Sequence, residues 1–182
     1  MVILIGGTTH VGKTFLAQKL MEKHKIPYSS IDHLKMGIYR ACPDCGYTPN
    51  DNDGIITRKL WPILKGIIMT VIENNQNIIL EGNYIPYSLK KMRKKYTSKI
   101  INFKMGFSEE YIKQNFQKEI IRNESIIEIR DQTFDMPMEE YITENERVKR
   151  LCQKYNVKHF EIQSNFKREI NKVYEWILFT AG

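Results

Sequence analysis

Cysteine and long hydrophobic runs are scarce in this chain of 182 residues. Its three cysteines are too few for a disulfide framework and suit a reducing compartment. The apolar runs fall far short of the roughly 20 residues that a membrane-spanning helix needs. The first run ends at Gly6, too early for a signal peptide. We therefore expect a cytoplasmic protein without a membrane span.

Acidic residues are also fewer than basic ones, which leaves a net charge of +7. The basic residues are spread along the chain, a distribution that does not favour a nucleic-acid partner. The densest run, Lys90–Lys95, is interpreted as the solvated face of a helix. Binding of a small anionic substrate is enough to explain the excess of positive charge.

Two of the three cysteines form a C-x-x-C pair, Cys42 and Cys45. This pair matches half of a zinc knuckle, but tetrahedral zinc needs four ligands and no second pair is present. A turn with two free thiols is the favoured interpretation, and metal or redox use is the alternative.

Buried strands alternate with helical patterns along the chain, which predicts an α/β fold with a parallel sheet covered on both faces. The predicted strands are residues 1–6, a short strand ending at Asp32, one ending at Glu81, Lys99–Phe107 and residues 158–163. The predicted helices are Lys13–His24, His33–Ala41, Ile55–Glu73 with a kink at Pro62, Pro86–Tyr96, one starting at Glu109 after an N-cap at Ser108, Met138–Tyr155 and Phe166–Phe179. We expect one domain, with ligands beyond the carboxyl ends of the strands.

The stretch GTTHVGKT, residues 7–14, matches G-x-x-x-x-G-K-[ST] at every fixed position, between a predicted strand and a predicted helix. Glycines let such a loop turn its N–H groups inward, and the helix adds the positive end of its dipole. Lys13 can then reach the outer phosphates of a nucleotide, and Thr14 can bind magnesium. His10 within the loop is more simply a filler than a catalyst.

Other signatures separate the classes of phosphate-loop protein. The D-x-x-G and N-K-x-D motifs of a GTPase are not in place, because the one D-x-x-G lies in a polar loop at Asp51–Gly54. Motor ATPases end the third strand in Asp or Asp-Glu, whereas this strand ends Leu80-Glu81-Gly82. A different class of phosphate-loop protein is therefore favoured.

The whole chain resembles the small-molecule kinases around adenylate kinase, shikimate kinase and gluconate kinase. GGTTHVGKT, SIDHLKMGIYR and IILEGNYIP are similar to segments of bacterial proteins labelled adenylate kinase or 2-phosphoglycerate kinase. The resemblance implies a three-layer P-loop NTPase fold with a five-stranded parallel sheet, and a mobile lid at about residues 125–138.

The resemblance also implies ATP and Mg²⁺ as cofactors. Thr14 and Glu81 would serve the metal, and Glu81 could instead pair with a lysine. The nucleotide would contact the phosphate loop and the residue after it: Gly7, Thr8, Thr9, His10, Val11, Gly12, Lys13, Thr14 and Phe15.

On the acceptor side, the resemblance places Asp32 against the acceptor, where it could orient or deprotonate a hydroxyl or hold a metal-bound water. Its alternative is an N-cap for the helix at His33. Arg40 lies two helical turns further on and could share the acceptor pocket, or be a surface arginine. The substrate residues implied are Asp32, Arg40, Glu81, Gly82 and Tyr84.

Phosphoryl transfer also needs a cation near the transferred group. Arg130, at the middle of the expected lid, is the candidate, and Arg122, Arg147 and Arg150 are the alternatives. The leading hypothesis is thus an ATP-dependent kinase of a small metabolite. A nucleoside or nucleotide kinase, and an ATP-binding regulatory module that transfers nothing, are the alternatives.

Overall fold

A computed structural model describes residues 1–121 and 136–181 of the chain. Five parallel strands form one sheet in the order β2-β3-β1-β4-β5. They are β1 (Val2–Gly7), β2 (Tyr28–Ser30), β3 (Ile78–Glu81), β4 (Ile100–Phe107) and β5 (Lys158–Ile162). The predicted five-stranded parallel sheet is confirmed, with the first strand at its centre.

Helices cover both faces of this sheet. They are α1 (Lys13–His24), α2 (Ile31–Ala41), α3 (Asp53–Glu73), the short α4 (Lys94–Thr97), α5 (Glu109–Asn115), α6 (Met138–Tyr155) and α7 (Phe166–Ala181), and a π-helical segment (Phe116–Ile121) follows α5. None of the described helices is both long and apolar enough to span a bilayer.

The side chains of β1 point alternately into two hydrophobic core clusters, one on each face of the sheet. Ile3 and Ile5 pack in a cluster with residues of α1, α5 and α7, whereas Val2 and Leu4 pack in a second cluster with α2 and α3. Because side chains on a strand point alternately to its two faces, an entirely apolar strand must be covered on both. Each buried Ile or Leu contributes about 1.5–3 kcal/mol relative to an exposed one.

The second strand ends earlier than predicted, and this moves Asp32. β2 stops at Ser30 and α2 begins at Ile31, whose side chain is buried in the core. Asp32 therefore lies in the first turn of α2 instead of at a strand end. The helix-cap alternative is wrong, because Ser30 occupies the N-cap position.

The predicted basic helix at 86–96 is largely wrong. Only Lys94–Thr97 is helical, after a turn in which the Met92 N–H donates to the Leu89 carbonyl. Met92 and Tyr96 turn inward, while the basic side chains between and before them stay exposed. Burial of these two side chains therefore orders the segment without a long helix.

The third helix starts two residues before the predicted boundary, because the Asn52 side chain caps it by accepting from the Gly54 N–H at 2.8 Å. It continues through Pro62 to Glu73. Ser108 caps α5 as predicted. Most of the predicted lid lies outside the described residues, and its last residue, Met138, begins α6.

Candidate functional site

A cavity of about 930 Å³ opens at the carboxyl edge of the sheet, where the loops after β1, β3 and β5 meet. In parallel sheets, ligands bind at this edge. The described wall consists of Thr9, His10, Gly12, Lys13, Thr14, Phe15, Asp32, Lys35, Asp53, Glu81, Asn83, Tyr84, Phe107, Tyr111, Glu119, Ile120, Ser164, Asn165, Phe166 and Lys167. One wall therefore contains predicted nucleotide residues and predicted acceptor residues together.

The phosphate loop joins β1 to α1 and depends on its glycines. Gly7 has φ +137°, and a Cβ there would lie 2.1 Å from the Met105 carbonyl oxygen of β4. Gly12 has φ +86° directly before α1, where a Cβ would meet the Phe166 ring at 2.6 Å. Only glycine combines such a positive φ with so little space for a Cβ atom. The loop consequently sits tight against the sheet and places the N-terminus of α1 at the cavity.

Lys13 and Thr14 stand at the start of α1 and line the cavity. The Lys13 ammonium donates to the Thr8 carbonyl oxygen at 2.7 Å and is largely buried. Asn83, after β3, donates to the Thr9 hydroxyl at 3.2 Å. Between Thr9 and Lys13, the loop residue His10 has φ +61°. This left-handed conformation costs energy in a residue other than glycine.

At the other end of the cavity, Asp32, Lys35 and Tyr84 form one connected group. The Lys35 ammonium lies 3.2 Å from the Asp32 Oδ1 and donates to the Tyr84 hydroxyl at 2.9 Å. Burial alone would lower the pKa of Lys35, but these two partners raise it above its ordinary value. The lysine thus stays charged and fixes both partners.

Asp53, the first residue of α3, adds a second carboxylate to this end. Its pKa is raised above the ordinary value, first by burial and then by the negative charge of Glu144, with Asp32 adding to the effect. Arg147 opposes this shift. An anionic ligand group would meet two like charges here, whereas a hydroxyl group would find acceptors.

Glu81 ends β3 with a buried side chain, as the sequence predicts, and lines the cavity together with Thr14. A carboxylate and a hydroxyl are hard oxygen donors of the kind that Mg²⁺ prefers, and Mg²⁺ in kinases takes one or two protein ligands with phosphate and water. Within residues 1–121 and 136–181, no three His, Cys, Asp or Glu side chains converge into a larger metal cluster. The donors present therefore fit a magnesium ion that is also bound by phosphate and water, rather than one bound by protein side chains alone.

Two aromatic side chains, Phe15 and Phe166, line the cavity next to the loop. The rings of Phe15 and Phe166 lie 6.2 Å apart, and 41% of Phe15 is exposed. Asn165 and Lys167, which follow β5, line the same part of the cavity. This part of the cavity therefore has exposed aromatic surface, with the two rings tilted by 51° to each other.

Some predicted residues do not reach the cavity wall. Gly7, Thr8, Val11 and Gly82 lie buried behind it. Arg40 is exposed near the end of α2, so the structure does not bring it into a pocket with Asp32.

The arginines around the predicted lid divide into two groups. Arg147 is exposed and bound by Glu144 at 2.6 and 2.7 Å, and Arg150 lines a separate groove of about 430 Å³. Arg122 and Arg130 lie outside the described residues.

The wall residues outside the predicted site include Lys35, Asp53, Asn83 and Phe166. Lys35 could have been found, because it follows Asp32 by three residues on one helix face. Asn83 follows the predicted Glu81 by two residues, and Phe166 belongs to the segment after β5, where a ligand is expected. Asp53 reaches the site through the packing of a segment distant in sequence. Cys42 and Cys45 are free thiols, and Cys45 donates to the Tyr47 carbonyl at 3.4 Å.

No family model and no curated protein matches the chain. Among solved structures, the shikimate kinase of Aquifex aeolicus has a TM-score of 0.54 and 12% identity, over 100% of this chain and 98% of that one. The shikimate kinase of Bacteroides thetaiotaomicron has a TM-score of 0.52 and 11% identity, and the match covers 98% of each chain. A kinase candidate from Chloroflexus aurantiacus has a TM-score of 0.54 and 14% identity, and the match covers 98% of this chain and 97% of that one. The chain therefore has the fold of the P-loop small-molecule kinases.

Proposed function

We propose that the chain transfers the γ-phosphoryl group of ATP to a hydroxyl group of a small-molecule acceptor. One observation carries the proposal: the phosphate loop with Lys13 and Thr14 shares a cavity with the carboxylates of Asp32 and Glu81. A nucleotide site and an acceptor site must adjoin for direct transfer, and this arrangement supplies both within about 930 Å³.

The nucleotide occupies the loop end of the cavity. Its phosphates accept hydrogen bonds from the N–H groups at the start of α1, where the helix dipole also favours negative charge. The Lys13 ammonium exchanges the Thr8 carbonyl, 2.7 Å away, for a phosphate oxygen. The base lies against Phe15 and Phe166, whose rings border this end.

Thr14 and Glu81 would hold the magnesium ion, Thr14 through its hydroxyl and Glu81 through its carboxylate. When bound, Mg²⁺ neutralises charge on the phosphate oxygens and keeps the outer phosphates in one orientation. Glu81 suits this role because the rigid end of β3 places its carboxylate directly at the cavity.

The acceptor hydroxyl binds to Asp32. Its oxygen attacks the γ-phosphorus, the bond from that phosphorus to the bridging oxygen of ADP breaks, and the proton of the hydroxyl passes to the Asp32 carboxylate. Lys35, bound to the Asp32 Oδ1, fixes that carboxylate in place and leaves Oδ2 for the hydroxyl. Because Asp53 places a second carboxyl group beside Asp32, we expect uncharged hydroxylated acceptors to bind better than anionic ones.

Release of ADP in the presence of candidate acceptors tests this function. The acceptor set contains shikimate, nucleosides, nucleoside monophosphates and neutral sugars, each with MgATP. We expect at least one acceptor to raise the rate of ADP release well above the rate with MgATP alone. A preference for nucleosides or their monophosphates would make the chain a nucleoside or nucleotide kinase. Tight binding of MgATP without stimulation by any acceptor would support the regulatory module and contradict the proposal.

Replacement of Lys13 provides the matching variant. Lys13→Ala should abolish acceptor-stimulated ADP release and leave the circular dichroism spectrum unchanged, because the ammonium binds the loop at the Thr8 carbonyl and is not part of the apolar core. The control is Lys23→Ala, which removes an exposed lysine from the same helix and should retain full turnover. Full turnover by Lys13→Ala would contradict the assignment of the loop.

A further inference from the structure

Two side chains of α6 that do not line the cavity contact the phosphate loop. The Tyr141 hydroxyl donates to the Thr9 carbonyl at 2.5 Å, and the Asn145 Oδ1 accepts from the Thr8 hydroxyl at 3.0 Å. Tyr141 and Asn145 stand one helical turn apart on the same face of α6, and both are at least 97% buried. The loop is therefore bound to a helix that begins more than 120 residues further along the chain.

Neighbouring backbone groups determine which way the Asn145 side-chain amide faces. Its Oδ1 also accepts from the Phe107 backbone N–H at 2.7 Å, and its Nδ2 donates to the Tyr141 carbonyl at 2.8 Å. A backbone N–H can only donate, so the oxygen of the amide must face Phe107 and Thr8. One side chain thus connects the end of β4, the phosphate loop and α6.

The loop residues held in this way are those that position Lys13 and the loop turn. Thr8 presents its carbonyl to the Lys13 ammonium, and Thr9 accepts from Asn83 across the cavity. His10, the next residue, has the left-handed φ of +61°. Such a conformation persists only where its surroundings hold it.

We propose that Tyr141 and Asn145 are positioning residues that keep the phosphate loop in its binding conformation before a nucleotide arrives. This inference rests on the proposed function, because it concerns the same nucleotide site. Without the two contacts, part of the binding energy of the phosphates would be spent on ordering Thr8 and Thr9. Their effect therefore belongs to phosphate binding more than to the stability of the fold.

Removal of a single hydroxyl group tests the proposal. Tyr141→Phe keeps the ring in the core and removes the hydroxyl that donates to the Thr9 carbonyl. Loss of one such bond should weaken the binding of MgATP and MgADP about threefold to tenfold. Thr8→Val, which removes the bond to Asn145 with little change of shape, should have a similar effect. The measurement is the dissociation constant of each nucleotide by titration calorimetry.

The matched control is Tyr174→Phe. The Tyr174 hydroxyl bonds to the His24 Nε2 at 2.7 Å, is also in the core, and does not line the cavity. This variant should lose a similar amount of thermal stability while its MgATP affinity stays within about twofold of the wild type. Weakened binding in Tyr141→Phe without weakened binding in Tyr174→Phe separates positioning from general destabilisation.

Two results would overturn the inference, and they are distinguishable. If the wild-type chain binds MgATP and Tyr141→Phe and Thr8→Val bind it equally tightly, the positioning role is wrong and the proposed function stands. If the wild-type chain binds neither MgATP nor MgADP, the proposed function fails and the positioning role fails with it.

Discussion

At the scale of single residues, the part of the cavity that we assign to the acceptor depends on one ion pair that spans a helical turn. Asp32 and Lys35 lie 3.2 Å apart at the start of α2, and the lysine also binds the Tyr84 hydroxyl. The Lys35 carbonyl in turn accepts from the Tyr47 hydroxyl at 2.7 Å, which ties the loop before α3 to this turn. The carboxylate that we assign to the acceptor is therefore held on a rigid element.

Replacement of Asp32 by asparagine tests that assignment. Asp32→Asn keeps the size of the side chain and an oxygen for Lys35, but it removes the negative charge that receives the hydroxyl proton. We expect MgATP affinity to be retained and the acceptor-stimulated rate to fall about a hundredfold to ten-thousandfold, the usual contribution of a positioned acid–base group. Steady-state assay of ADP release with the acceptor found in the screen measures the rate.

The matched control for Asp32→Asn is Asp44→Asn, which changes an exposed aspartate in the loop after α2. Its rate should equal that of the wild type. An unchanged rate in Asp32→Asn as well would remove Asp32 from the chemistry and leave Asp53 and Glu81 as the carboxylates to examine.

At the scale of secondary-structure elements, short local signals decide where helices begin. The Ser108 hydroxyl accepts from the Tyr111 N–H at 3.2 Å, and Glu109 and Glu110 add negative charge to the first turn of α5. Both features are visible in the sequence, and the predicted cap is confirmed. They hold the helix that continues into Phe116–Ile121, whose Glu119 and Ile120 reach the cavity.

Loss of this cap should destabilise the protein measurably. Ser108→Ala should lower the free energy of unfolding by about 1 kcal/mol, because a helix N–H loses its partner in a largely buried position. Urea unfolding followed by circular dichroism measures the change. Ser98→Ala, at an exposed serine, is the control and should change stability by less than about 0.5 kcal/mol. Equal stability of both variants would show that the Ser108 cap contributes nothing.

At the scale of the whole molecule, a lysine is buried inside the sheet. Lys104, on β4, is 1% exposed, donates to the Ile85 carbonyl at 2.6 Å and lies over the Tyr87 ring. A Cβ on Gly6, its partner on β1, would lie 2.3 Å from its Nζ. Burial lowers the pKa of Lys104 to about 7 from 10.5, and the charge of Lys13 adds to the effect.

Stability should therefore depend on pH through Lys104. Between pH 7 and 10.5 the unfolded chain holds the proton more tightly than the folded chain, so deprotonation at rising pH favours the folded state. The gain should approach about 1.4 kcal/mol per pH unit across this range and cease below pH 7. Lys104→Met, which keeps the length of the side chain without its charge, should be more stable than the wild type at pH 7.

Urea unfolding of the wild type and of Lys104→Met at pH 6, 7, 8 and 9 measures this dependence. The advantage of the variant should be greatest at pH 6 and 7 and shrink toward pH 9, because the wild-type lysine becomes neutral. Parallel stability curves with no difference in slope would contradict a titrating lysine at this position.

The sequence by itself determined the features that contiguous residues encode. The phosphate loop, the apolar strands on either side of it and the Ser108 cap each arise within one short stretch, where backbone preference and side-chain alternation act directly. The parallel sheet also follows, because helices that connect alternating strands must cover both of its faces. These features predict where a nucleotide would bind.

Only the tertiary structure decided which distant side chains complete the site. Tyr141 meets Thr9 across 132 residues of sequence and Asn145 meets Thr8 across 137, and no local pattern marks either side chain as a partner of the loop. The start of α2 was displaced for a similar reason, because burial of Ile31 outweighed the local signals that suggested a longer strand. Such contacts depend on how helices pack over the sheet, and the free energy of that packing is a property of the assembled core and not of any one segment.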